Sequence, residues 1–271
     1  MPTMKLYRNG TSSYMGGTGN HVRAPRGEIV GWSAASARRQ ERWLWTVDAD
    51  ALSGHGYAVT LTMKICPDSA ADFEKVRRAY VKRVERMGAI RIHWVVEWQA
   101  RGVPHIHAAV YFDFDLDSEE ISWLLVHWIA VAGRYETAVN AQHWDHITGP
   151  MGWLKYLAKH ASRGAAHYQR QGHPETWSKT GRLWGHIGDW PVIEPVVLDG
   201  LSNREFWRLR RLMRAWAVAD ARKVSDWKRV AYLRRAGRPA DRKVSSYLGA
   251  AEWIPVEVSS RLVDLFENEN R

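Results

Sequence analysis

Cysteine is almost absent from this chain. Cys66 is the only one in 271 residues, which excludes an intramolecular disulfide framework and a cysteine-built zinc finger and suits a reducing compartment. Long apolar runs are missing too. The longest, residues 123–133, is interrupted by His127 and falls well short of the roughly 20 residues that a membrane span needs. The N-terminus carries no apolar block that could serve as a secretory signal, so neither a membrane protein nor a secreted one is expected. No Gly-x-x-x-x-Gly-Lys-Ser/Thr occurs, which removes a P-loop ATPase from consideration. Negative charge is in deficit, with 29 acidic residues against 39 basic ones.

What is present describes a folded chain that meets a polyanion. Hydrophobic residues make up 45% and charged ones 25%, which argues against a mainly disordered protein. The net charge of +10 is the balance expected of a partner of nucleic acid. It is unevenly placed: residues 200–243 hold 14 basic and 4 acidic side chains, so a general grip on a polyanion is expected there. Arg208, Arg211 and Arg214 are its candidate contacts. Sixteen tryptophans could include stacking surfaces for bases, although most tryptophans in any protein are core.

The patterning predicts a layout of strands and helices. Residues 1–28, rich in Gly, Thr, Ser and Asn, read as a flexible N-terminal arm. A helix is expected over 33–47, a strand over 57–64, and a helix after Pro67 capped by Asp68 or Ser69, with Phe73, Val76, Tyr80, Val84 and Met87 on its apolar face. Two β-rich runs, 90–98 and 103–112, flank Ala-Arg-Gly, a hairpin signal in which Gly102 supplies the left-handed residue. Further helices are expected from Ser118 to about 132 and from Pro150 to about 162, with short strands near 141–147 and 181–190. From Ser202 onward the chain reads as basic helix, broken by Gly-Arg-Pro at 237–239. The fold class is therefore α+β, an antiparallel sheet with helices packed on it. The expected divisions are the arm at 1–28, a main domain at 29–195 and a basic helical region at 200–271.

The chemistry centres on Glu97 and on the pair His105 and His107. Residues two apart on a strand share a face. Glu97 and His105 are equidistant from Arg101, so a hairpin turning there sets them opposite each other. Two imidazoles and a carboxylate on one face make a three-ligand site with open positions, suited to Mn²⁺ or Mg²⁺ as a Lewis acid. A register slip of one residue would send Glu97 to the wrong face. The bland alternative is a pair of solvated strand histidines. Tyr156 and Lys159 lie three apart on an expected helix and share a face; a phenol becomes a nucleophile only with help from a cation, a base or a metal. Thr60 and Thr62 put alternate hydroxyls on one strand face.

In this order Thr60-Leu-Thr, Gly102-Val-Pro-His-Ile-His and Tyr156-Leu-Ala-Lys resemble the three signature motifs of the HUH endonucleases, and in particular of the rolling-circle replication initiators of plasmids and single-stranded DNA phages. Gly31-Trp-Ser, Glu97-Trp-Gln-Ala-Arg-Gly-Val-Pro and Gly181-Arg-Leu-Trp-Gly are also similar to initiator sequences. The resemblance covers residues 30–190. It implies an HUH, ferredoxin-like sheet and a cytoplasmic protein of a bacterial host. It also implies His105, His107 and Glu97 as metal ligands, Tyr156 as nucleophile and Lys159 as its helper. The implied activity is site-specific nicking of single-stranded DNA and strand transfer through a 5′-phosphotyrosine, freeing a 3′-hydroxyl primer. Thr60 and Thr62 become candidate DNA contacts. The partners implied are single-stranded or hairpin-extruded origin DNA, a host helicase and a host DNA polymerase, with dimerisation left open. One turn after Tyr156 stands His160, where two-tyrosine initiators have a second tyrosine, so a single-tyrosine type is expected. A transposase or mobilisation nickase with the same site, and a non-enzymatic nucleic-acid-binding module, are the competing readings.

Overall fold

A computed structural model describes residues 1–15, 27–149, 167–237 and 249–269. The chain divides into two units: Ala24–Leu44 with Asp48–Pro191, and Met1–Arg23 with Trp45–Val47 and Val192–Arg271. Both combine helices with antiparallel sheet, the α+β class that the patterning predicts.

The N-terminal hairpin belongs to the second of these units. Strands β1 (Pro2–Tyr7) and β2 (Gly10–Met15) pair in register from Pro2–Met15 to Tyr7–Gly10. After α1 (Ala34–Thr46) come β3 (His55–Leu61), α2 (Ala70–Arg86), β4 (Arg91–Trp98), β5 (Pro104–Phe112), α3 (Ser118–Ala132), β6 (His143–His146), the short α4 (Tyr168–Gln171) and β7 (Trp184–Gly188). The chain continues through β8 (Val196–Leu198), α5 (Asn203–Lys223), α6 (Trp227–Ala236), β9 (Gly249–Trp253) and α7 (Val256–Glu269).

The main sheet runs β6-β3-β5-β4-β7, antiparallel at every step. Its central strands β4 and β5 are buried along their whole length, because both faces are covered. On one face lie α2 and α3: Arg77 of α2 sits over the Trp94 ring at 4.4 Å, and Trp128 of α3 donates its indole N–H to the Thr62 carbonyl. On the other face Trp43 of α1 stacks on His93 and on His186, which are cross-strand partners on β4 and β7. Burial on both faces means that the polar residues alternating along these strands, His93, Glu97, His105 and His107, are covered as well.

Local signals explain the helices. Ser69 caps α2 by accepting from the Asp72 N–H, and Phe73, Val76, Tyr80 and Val84 are buried at three- and four-residue spacing. Asp117 and Glu120 close a capping box around the start of α3. The hairpin loop also follows the sequence. Gln99 donates to the Val103 carbonyl, which leaves Ala100, Arg101 and Gly102 as the loop, and Gly102 takes φ +77°. That conformation is steeply disfavoured for residues with a Cβ.

In the other unit the sheet runs β8-β1-β2-β9, again antiparallel. Met4 and Leu6 meet Leu201, Phe206, Leu209 and Met213 with Ile254 and Leu262 in one buried cluster. This corrects two readings of the sequence. Residues 2–15 are paired strands rather than a flexible arm, and the C-terminal region contributes strands as well as basic helices. Thr11, Ser12 and Ser13 look like loop residues, but they are buried between two neighbouring strands, and only long-range pairing supplies those neighbours. Gly10 is needed where it stands: a Cβ there would lie 2.2 Å from the Trp45 ring.

Candidate metal centre

The β4–β5 hairpin builds the site. Its register pairs Glu97 with His105 and Val95 with His107, so Glu97, His105 and His107 share one face of the sheet. All three are buried, with Glu97 at 0% exposure. The two Nε2 atoms lie 2.9 Å apart, and Glu97 Oε2 is 3.8 Å from His107 Nε2. Among the described residues these three form the one group of three or more metal-ligating side chains whose donor atoms come together, all within 4.8 Å of one another.

The donor set fits a hard divalent ion. Adjacent ligands at about 2.1 Å from an octahedral ion are about 3 Å apart, close to the separation of the imidazole nitrogens. Two imidazoles and a carboxylate leave coordination positions for substrate oxygens. A carboxylate at this depth is costly unless paired; Glu97 has His107 Nε2 3.8 Å from Oε2 and a buried arginine beside Oε1.

Neighbouring groups orient the ligands. Thr60 pairs with His107 across β3 and β5, and its hydroxyl lies 3.0 Å from His107 Nδ1. When His107 Nε2 keeps its lone pair for a metal, Nδ1–H donates to that hydroxyl oxygen. Thr62 is engaged elsewhere: its hydroxyl donates to the Ala141 carbonyl and its N–H to Gln142. The two threonines, both candidate DNA contacts, thus make different contacts within the protein.

A feature that the sequence did not signal lies behind Glu97. Arg170 of α4 is 1% exposed, and its Nε lies 3.9 Å from Glu97 Oε1. Its guanidinium sits over the Trp32 ring at 4.1 Å, while the Trp32 indole N–H donates to the Val96 carbonyl at 2.9 Å. Arg170 falls in a polar segment with no apolar periodicity, so only tertiary contacts mark it. Nearby on α1, burial pushes the Glu41 carboxyl up to about 7, against lowering by Arg42, Arg170 and Arg38.

The remaining expected site residues lie in other parts of the sequence. Tyr156 and Lys159, with the helix expected from Pro150, lie outside the described residues. Arg208 and Arg211 are exposed on α5, and Arg214 is half-buried. Among the described residues no helix is long and apolar enough to cross a membrane.

Residues 56–170 match the family described as replication-associated protein ORF2/G2P. The chain is 41% identical over 262 residues to a protein named for replication in Xylella fastidiosa strain Temecula1, covering 93% of this chain and 99% of that one. A second such protein, from strain 9a5c, is 40% identical over 267 residues, 95% of this chain and 94% of its own. Replication-associated protein G2P of Pseudomonas phage Pf3 is 38% identical over 262 residues, covering 94% and 93%. No solved structure matches. Sustained identity over nearly the whole length, together with the motif order, shows that this chain belongs to the replication-associated protein ORF2/G2P family and is a replication initiator.

Proposed function

We propose that this initiator is a metal-dependent DNA-nicking and strand-transfer enzyme that uses Tyr156 as its nucleophile. The observation that carries the reading is the meeting of Glu97, His105 and His107 on one buried sheet face. Those three would hold Mn²⁺ or Mg²⁺. When bound, the ion supplies Lewis-acid stabilisation of charge on the non-bridging oxygens of the scissile phosphate.

Tyr156 gives up its phenolic proton and attacks phosphorus in line. The bond to the 3′ oxygen breaks, that oxygen takes up a proton, and the 5′ phosphate stays on Tyr156 as a phosphodiester. Phosphodiester energy is conserved in that linkage, so a later 3′-hydroxyl can displace Tyr156 and rejoin the strand without ATP. Lys159 places a positive charge beside the developing phenolate. The released 3′-hydroxyl primes a host polymerase, and unwinding falls to a host helicase because the chain has no P-loop motif. The substrate is origin DNA, single-stranded or extruded as a hairpin at the nick, in the bacterial cytoplasm. General affinity for DNA comes from the basic stretch that includes α5, with Arg208 and Arg211 on its surface.

Incubation with a pool of single-stranded oligonucleotides and Mn²⁺, followed by mass spectrometry of the DNA-linked peptide, tests this. A nucleotide on Tyr156, lost in Tyr156→Phe, is expected. Adduct formation that persists in Tyr156→Phe, or cleavage unchanged in excess EDTA, overturns it.

A further inference from the structure

The two carboxylate oxygens of Glu97 point to different tasks. Oε2 is the one nearer His107, at 3.8 Å from Nε2, and Oε1 faces Arg170 Nε at 3.9 Å. Both side chains of the Glu97–Arg170 pair are completely buried. At this distance the contact is an ion pair rather than a hydrogen bond, and no bulk water lies between the charges to screen them. The guanidinium is fixed from a second side by Trp32, whose ring it covers at 4.1 Å. Trp32 is itself tied to β4 at Val96, the residue before Glu97. Gly31, at φ +121°, turns the chain into Trp32. The Gly31-Trp-Ser segment, prominent in the sequence but without a role in the chemistry, thus belongs to the support of the site.

We propose that Arg170 is a positioning residue for the metal centre, braced by Trp32: it holds Oε1 so that Glu97 presents Oε2 alone, as a one-oxygen ligand, to the ion. A planar cation is needed for this. It stacks on an indole with its face while an edge nitrogen addresses a carboxylate, which the point charge of lysine cannot do. Fixing one oxygen keeps the carboxylate from chelating the ion with both, and so keeps a coordination position for a phosphate oxygen. Glu41 lies within electrostatic reach of the same guanidinium, so the effect of Arg170 on Glu97 must be separated from its effect on Glu41.

This inference rests on the metal reading above, and the test separates the two. Mn²⁺ affinity of the full-length protein is measured by electron paramagnetic resonance for wild type, Glu97→Gln, Arg170→Met, Arg170→Lys, Trp32→Phe and the double variant Glu97→Gln/Arg170→Met. Thermal melting of each metal-free protein reports its folding. If wild type binds no Mn²⁺, or Glu97→Gln binds as wild type, the metal reading itself fails. If those controls hold, Arg170→Met is expected to weaken binding on the order of 10-fold, the range seen for groups that orient ligands. Arg170→Lys and Trp32→Phe should weaken it by smaller factors. Because Arg170 acts through Glu97, Arg170→Met should cost nothing further once Glu97→Gln is present. Wild-type affinity in folded Arg170→Met overturns the proposal. So does an equal loss in both backgrounds, which would mark Arg170 as general scaffolding. Should Arg170→Met fail to fold, Arg170→Lys carries the same cycle, and full Mn²⁺ affinity in that variant overturns the proposal.

Discussion

The Thr60 hydroxyl stands 3.0 Å from His107 Nδ1, on the side of the imidazole away from His105 and Glu97. With Nδ1–H donating to this hydroxyl, the ring keeps its Nε2 lone pair for a metal. Thr60→Val keeps the β-branched shape and removes the acceptor. We expect Mn²⁺ affinity to fall about 10-fold, with Thr60→Ser close to wild type. Calorimetric titration with Mn²⁺ measures both, and equal affinities for Val and Thr would remove Thr60 from the centre.

The loop that sets the site's register makes a second prediction. Gly102 sits at φ +77° between β4 and β5. Gly102→Ala should cost about 1–2 kcal/mol, the usual penalty for a Cβ in the left-handed region, read from urea denaturation. Deleting Ala100 shortens the loop and forces the strands to slip. Glu97 would then leave the face it shares with His105, and Mn²⁺ binding should vanish while the β-content seen by circular dichroism stays. Retained Mn²⁺ binding in the deletion would show that the pairing does not depend on this loop.

His93 gives a pH dependence. It is fully buried under Trp43, and burial, with His186 as a smaller influence, lowers its pKa from 6.5 to about 3. The unfolded chain protonates this imidazole below about 6.5 and the folded chain does not. The stability from its neutral form is therefore complete above that pH and is lost as pH falls toward 3. Urea midpoints measured from pH 7 down to pH 4.5 should fall less steeply for His93→Phe than for wild type. Parallel slopes would show that acid sensitivity comes from other groups.

The N-terminal strands make a fourth. Met4 is completely buried against Leu201, Phe206 and Met213. Met4→Ala should destabilise its unit by about 2–5 kcal/mol, whereas a mobile arm would tolerate it. An unchanged denaturation midpoint would mean that the hairpin does not carry this core.

The meeting of Glu97, His105 and His107 was legible because its determinants are local. Glu97, His105 and Gly102 lie within one hairpin, and the two-residue period of strands together with the loop glycine fixes which side chains share a face. The capped, amphipathic α2 and α3 were legible for the same kind of reason. The strand expected over 57–64 forms as β3 and ends at Leu61; the contacts of Thr60 with His107 and of Thr62 with the Ala141 carbonyl were not legible, because other segments supply the partners.

Sequence by itself determined the α+β class, the Glu97–His105 register and the family, since these follow from short-range periodicity, turn chemistry and motif order. Tertiary structure alone decided that Arg170 and Trp32 stand behind Glu97, and that Ser- and Thr-rich residues 10–15 form a central strand beside β9. Burial of an arginine or a run of hydroxyls is set by partners dozens to hundreds of residues away. Nothing in local propensity distinguishes an arginine that will be covered from one left in water.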